Sequence, residues 1–141
     1  MGKKITRPNY YKEGHTYYCE LRDGNDKYIG TATCCSEDYD VESEKVGYTI
    51  AEGRALIKAF QGARRMTRIE LKALQKLYNR IRYSKHFQEN YHPYSKIIDE
   101  IEEKKELILI WTNSIEQTKK DIRDYINAQD SVSKKIRAKR K

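Results

Sequence analysis

The sequence predicts an α+β fold: an N-terminal antiparallel β-hairpin or small sheet, followed by two long α-helices that pack in an oligomer. Three observations carry this reading. Residues 15–35 alternate about the turn signal Asp23-Gly24-Asn25-Asp26, as the two strands of a hairpin do. Residues 41–83 and 95–129 space their apolar side chains three and four apart, the period of an amphipathic helix. In the second of these, Ile101, Ile108, Ile115 and Ile122 recur every seven residues. A stripe of that length in so short a chain predicts helix–helix association between chains.

Residues 1–14 are basic and punctuated by Gly2, Pro8 and Gly14, which predicts an irregular arm. In the first strand Tyr17, Cys19 and Leu21 alternate with Thr16, Tyr18, Glu20 and Arg22. The second strand, 28–35, sets Gly30, Ala32 and Cys34 on one face, small enough for a helix to approach closely. Two strands alone are marginal, so the arm, a helix or a second subunit must complete the layer. Asp40 is the expected N-cap of helix one, with Glu42 and Glu44 near the positive end of its dipole. The stripe of that helix runs through Ile50, Ile57, Phe60, Leu71, Leu74, Tyr78 and Ile81. Arg64 and Thr67 interrupt it beside Gly62-Ala63, which predicts a bend near 62–67. Gly47 and Gly53 are read as close-packing positions. Residues 84–94 form a connector rich in aromatic and imidazole groups, after which Pro93 and Ser95 suit the start of helix two. The middle of helix two, 107–111, is apolar on more than one side and should touch more than one neighbour. Residues 1–130 are thus read as a single domain and 131–141 as a disordered basic tail.

Charged residues make up 35% of the chain against the usual ~25%, and hydrophobic ones 38%, so the core is thin. The net charge is +8, unevenly placed: Lys134, Lys135, Arg137, Lys139, Arg140 and Lys141 stand without an acid in the tail. Removing those six charges from +8 leaves +2. A cationic tail can hold nucleic acid by counterion release, and equally it can be a solvated terminus. No apolar run approaches the ~18–20 residues of a membrane span, and no signal-peptide core opens the chain, which together predict a cytoplasmic protein without a membrane partner. Cys19, Cys34 and Cys35, an odd set without an export signal, point to a reducing compartment and are read as small buried hydrophobes. His15 lies four residues before Cys19, but no paired CxxC frame accompanies it, so no metal is assigned.

No Ser/His/Asp grouping, P-loop, GxGxxG or HExxH is present, so neither a catalytic set nor a cofactor is predicted. The acids Asp99, Glu100, Glu102, Glu103 and Glu106 suit a helix N-terminus and are followed by Lys104 and Lys105. The basic groups on the helices are more suggestive. Arg65 and Arg68 flank the interrupted stripe, Arg82 closes helix one beside the aromatic connector, and Lys119 and Arg123 share a face of helix two. Guanidinium forks match phosphate oxygens, and rings stack on a base. Arg65, Arg68, Arg82, Phe87, Asn90, Tyr91, Lys119 and Arg123 are therefore the candidate ligand-binding residues for a nucleotide-like molecule, with ordinary solvated helix faces as the competing reading. Twelve tyrosines against two phenylalanines suit an interface or a half-exposed sheet face.

The stretch Tyr28-Ile29-Gly30-Thr31-Ala32-Thr33-Cys34-Cys35, the acidic Ser36-Glu37-Asp38-Tyr39-Asp40 and then Gly47-Tyr48-Thr49-Ile50-Ala51-Glu52-Gly53-Arg54-Ala55 resemble a module of small phage and bacterial proteins. That module is a hairpin ending in a small-residue strand, an acidic loop and a helix of the form G-x-x-I-A-x-x-R-A. Among its phage members the chain is most similar to the anti-Thoeris sponge proteins. The resemblance covers about the middle half of the chain, and its motifs are structural. It implies an N-terminal antiparallel sheet, long C-terminal helices and a dimeric or higher assembly. It also implies sequestration, without degradation, of a cyclic ADP-ribose-type signal made by a bacterial TIR-domain defence enzyme, with cyclic oligonucleotides as a second ligand class. The alternatives are a nucleic-acid-binding phage protein acting through Lys134–Lys141, or an oligomer that inhibits a host protein.

Overall fold

A computed structural model of the chain describes residues 7–83 and 95–140. Its order is three strands, a short 3-10 turn and two long helices: β1 (Asn9–Glu13), β2 (Thr16–Asp23), β3 (Asp26–Thr33), the turn Ser36–Val41, α1 (Glu44–Arg82) and α2 (Ser95–Arg140). The α+β architecture read from the sequence is the one present. The chain packs as two compact units, Met1–Phe60 with Ser114–Lys141, and Gln61–Asn113. Among the described residues, no helix is long and apolar enough to cross a membrane.

In the first unit the strands form one antiparallel sheet in the order β1-β2-β3. The expected arm is in part a strand: Tyr11 stands opposite Tyr18 and Glu13 opposite Thr16. Gly14-His15 makes a two-residue turn, with Gly14 at a φ of 60°. Gly24-Asn25 makes the next, with Gly24 at 64°. Glycine at the first central position, in the left-handed region, is what a type II′ hairpin turn requires. Gly14, which in the sequence reads as loop punctuation, is the turn of a second hairpin and makes residues 9–13 a strand. The third strand supplies the layer that two strands could not.

One face of the sheet packs on α1. Cys19, Leu21 and Ala32 meet Ala51 and Ala55 in the buried core, with Tyr28, Ile50 and Leu56 around them. Small residues on both sides bring strand and helix together, as the Gly30-Ala32-Cys34 face predicts. A Cβ at Gly30 would collide with the backbone of Ala51 and Ala55, and one at Gly47 with the ring of Tyr17. The other side of α1 meets the end of α2 in this unit, where a Cβ at Gly53 would come within 2.9 Å of Ile122. Asp40 does not cap α1. The 3-10 turn runs through Asp40, and Ser43 takes the role instead, its Oγ accepting the Val46 N–H at 3.4 Å.

The second unit holds the rest of α1 and the start of α2. Arg64 donates to Thr112 Oγ1 at 3.3 Å, and Glu70 pairs with Lys104 at 2.5 Å. A step toward the C-terminus of α1 is thus a step toward the N-terminus of α2, so the two segments run antiparallel. Arg64 and Thr67 are seam positions, and α1 continues as helix through 62–67. Ile101 and Ile115 are buried and Ile108 and Ile122 half-buried within the single chain. Ile101 and Ile115 thus find their cover within the single chain, and Ile108 and Ile122 only part of theirs. Leu109 and Ile110 remain exposed.

The expected disordered tail is the last part of α2, which runs to Arg140 rather than to Gln129. Lys, Arg, Ala and Gln are strong helix formers, and neither Gly nor Pro interrupts them. The apolar spacing also continues past Gln129, through Val132 and Ile136.

Candidate ligand-binding cleft

Where β3 ends, the chain turns through Cys34 and Cys35 into the 3-10 turn and then into α1. This corner is organised by one carboxylate. Glu42 Oε2 accepts the Tyr17 hydroxyl at 2.5 Å, and Oε1 lies 2.6 Å from His15 Nδ1. Lys12 Nζ stands 3.3 Å from the same group. Each residue is set by its element: Lys12 and Tyr17 are cross-strand partners on the α1-facing side of β1 and β2. His15 is held by the II′ turn and stacks on Tyr39, with ring centroids 3.5 Å apart. The Tyr17 and His15 hydrogen bonds, reinforced by Lys12, hold the Glu42 carboxyl down to about 2. Burial first, then the Glu42 charge, pushes the Tyr17 hydroxyl up to about 12. Burial and the same carboxylate push the Cys34 thiol up to about 11, so this sulfur stays protonated and weakly nucleophilic.

Beside this corner lies a cleft of about 430 Å³, entirely within the first unit. Val46, Ile50, Ile126, Val132 and Ile136 supply apolar wall. Arg54, Thr33, Ser43, Gln129 and Asp130 supply polar groups, with Glu42, Asp38 and Cys34 at the corner. Its size is ordinary for a small-molecule site, about 300–1,000 Å³. One Arg54 Nη donates to the Thr31 carbonyl at 2.8 Å, which orients the guanidinium at the rim. An arginine carries five N–H donors, so this bond leaves capacity for a ligand oxygen. The charge is mixed: one arginine faces three carboxylates, of which Glu42 is committed to Lys12 and His15.

The predicted site residues fall elsewhere. Arg65, Arg68 and Arg82 are exposed on the part of α1 that belongs to the second unit, and Arg82 lies 5.1 Å from the centre of the Tyr83 ring. Arg68 and Arg82 are separated by about 21 Å of helix axis, too far to share one phosphate. Phe87, Asn90 and Tyr91 lie outside the described residues. Lys119 and Arg123 are exposed on α2 in the first unit, and Lys119 lies 3.8 Å from Glu116. None of the described members lines the cleft. The residues that do were visible only in part. Arg54 is the arginine of the G-x-x-I-A-x-x-R-A pattern, whereas Gln129 and Asp130 stand at the expected end of the domain and Ile136 within the stretch 131–141 expected to be a tail. Among the described residues, no group of three or more His, Cys, Asp or Glu is arranged to hold a metal ion.

The depressed Glu42 carboxyl makes a pH prediction. Its ordinary value is 4.5 and its folded value about 2. Between those values the unfolded chain holds the extra proton, so the stabilisation is full above about pH 4.5 and disappears as pH falls toward 2. Glu20, lowered chiefly by its hydrogen bond from Arg22, acts in the same direction. Urea midpoints taken from pH 7 to pH 2.5 should fall most steeply below pH 4.5, and a flat profile there would contradict the assigned network.

Comparison of the chain with protein-family models, with curated proteins and with solved structures found no match.

Proposed function

We propose that this protein is a non-catalytic binding protein that sequesters a nucleotide-derived immune signal of the cyclic ADP-ribose type, as a phage anti-defence protein in the host cytoplasm. Cyclic oligonucleotides are the second ligand class. The observation that carries the reading is the cleft of about 430 Å³ with apolar walls and Arg54 at its rim. Such a ligand combines a flat base, ribose hydroxyls and phosphates. Val46, Ile50 and Ile126 suit the base, Gln129 and Asp130 can accept from hydroxyls, and Arg54 suits a phosphate oxygen. The protonated Cys34 favours holding over chemistry. A sponge that competes with a receptor needs about nanomolar affinity, near −12 kcal/mol.

The test is retention. The protein is incubated with extract from an activated TIR defence system or with glycocyclic ADP-ribose, filtered and then heat-denatured. Depletion from the filtrate with intact recovery after heating is the expected result. Arg54→Ala should weaken retention by roughly 10–100-fold, the worth of one charged hydrogen bond at about 1.5–3 kcal/mol. Arg123→Ala tests the basic face of α2 in the same assay. An untouched filtrate would sink the reading.

One observation favours a second reading. Lys134, Lys135 and Lys139 are exposed on a continuous helix, an arrangement suited to a phosphate backbone. Binding of nucleic acid that falls steeply with salt, and is lost when those lysines become glutamine, would put that reading first.

A further inference from the structure

The two edges of the sheet are unlike. A two-residue turn closes on a hydrogen-bonded pair, and such pairs alternate along an antiparallel ladder. In β2–β3 the pair Asp23 and Asp26 closes the turn, so Ile29 and Thr31 aim their backbone groups outward. Those carbonyls are occupied: Lys58 donates to Ile29 at 2.6 Å and Arg54 to Thr31 at 2.8 Å. In β1–β2 the pair Glu13 and Thr16 closes the turn, so Tyr10 and Lys12 aim their N–H and C=O groups outward from β1. Among the described residues, nothing meets those four groups. One edge is sealed by side chains and the other is left open, which is the usual template for strand addition.

We propose that the open edge of β1 pairs antiparallel with β1 of a second copy, centred on Tyr11, to make a continuous six-stranded sheet. The edge selects its own copy and a single register. With Tyr10 opposite the partner subunit's Lys12, each pair exchanges two hydrogen bonds, and all the outward groups of both residues are used. Slipping toward the N-terminus would place Pro8 opposite Lys12, and proline has no N–H to give. Slipping the other way runs into the Gly14 turn. The centred register sets Tyr11 against Tyr11, Tyr10 against Lys12 and Asn9 against Glu13, so no like charges stand directly opposite. An inward-facing lysine often guards an edge, but the Lys12 charge is met by Glu42 at 3.3 Å and Glu44 at 3.7 Å. On the outer face Tyr11 already stacks on Tyr18, with centroids 4.8 Å apart. The pairing extends that stack across the two-fold axis. It deepens the sequestration reading by assigning the assembly to the sheet.

Cysteine capture tests it. In the full chain carrying Cys35→Ser, which removes an exposed thiol, Tyr11→Cys should oxidise to a disulfide-linked dimer. A non-hydrogen-bonded antiparallel pair has its Cα atoms about 4.5 Å apart, within disulfide reach. Asn9→Cys should not link, because the two copies of that position would lie about 14 Å apart. Tyr11→Lys places two charges face to face and should turn a sedimenting dimer into the 16.8 kDa chain with its far-ultraviolet circular dichroism unchanged. Equal linking at positions 9 and 11, a dimer that survives Tyr11→Lys, or a wild-type chain that stays monomeric at about 100 µM overturns the pairing. A monomer that still retains the signal on the filter overturns the pairing alone, whereas a dimer that retains nothing overturns the sequestration reading alone.

Discussion

Gly30→Ala is expected to be the most damaging single substitution in this protein. The added methyl would drive into the backbone of Ala51 and Ala55, where no rotamer change relieves it. The strand cannot retreat cheaply. β3 is held to β2 along its whole length, and Arg54 and Lys58 tie its outer edge to the same helix. Overpacking a core against flexible side chains costs about 1–3 kcal/mol, and against two backbones the expected loss is at least about 3 kcal/mol. That is a large part of the ~5–15 kcal/mol by which domains are stable. Gly14→Ala is the informative comparison. It has a φ of 60° but open space around it, so its cost is backbone strain alone, about 1–2 kcal/mol. Urea denaturation should rank the two clearly. A Gly30→Ala midpoint no lower than that of Gly14→Ala would show that the sheet and α1 are not this close.

Glu42→Ala is expected to be the second. It removes the acceptor of the Tyr17 hydroxyl and leaves Lys12 and His15 without their shared carboxylate. The Tyr17 hydroxyl is part-buried, and losing its charged acceptor costs about 1.5–3 kcal/mol. Glu42→Gln keeps an oxygen for Tyr17 but removes the charge, so it should lose less at pH 7. It should also flatten the steep loss of stability below pH 4.5 that the depressed carboxyl predicts. The cleft adjoins this corner, so both variants should also weaken ligand retention on the filter. If both unfold like the wild type at pH 7, Glu42 is not an organising residue.

Local patterns in the chain carried much of this structure. Alternation about Asp23-Gly24-Asn25-Asp26 located β2 and β3, and three-four spacing located both helices. The small face at Gly30 and Ala32 announced a close helix before any helix was placed on it. The readings that failed were those that needed a partner's identity. Residues 9–13 became a strand because β2 offered them an edge, and a five-residue segment has too little pattern to show this alone. Asp40 is not the N-cap because the 3-10 turn Ser36–Val41 takes in that position, and Ser43 stands immediately before the first helical residue, Glu44. The site was less legible than the fold. Arg54 was present in a recognised pattern but was read for packing, and Lys12, His15 and Tyr17 are far from Glu42 in sequence.

The sequence by itself determined the class, the hairpins' turns and the helical periods, because backbone preferences and apolar spacing act between near neighbours. Only the tertiary structure decided which isoleucines of the stripe are buried within this chain, which sheet edge is sealed and which side chains share the cleft. Those outcomes depend on distances between residues remote in sequence. One-dimensional spacing cannot distinguish a helix that finds its cover in its own chain from one that needs another.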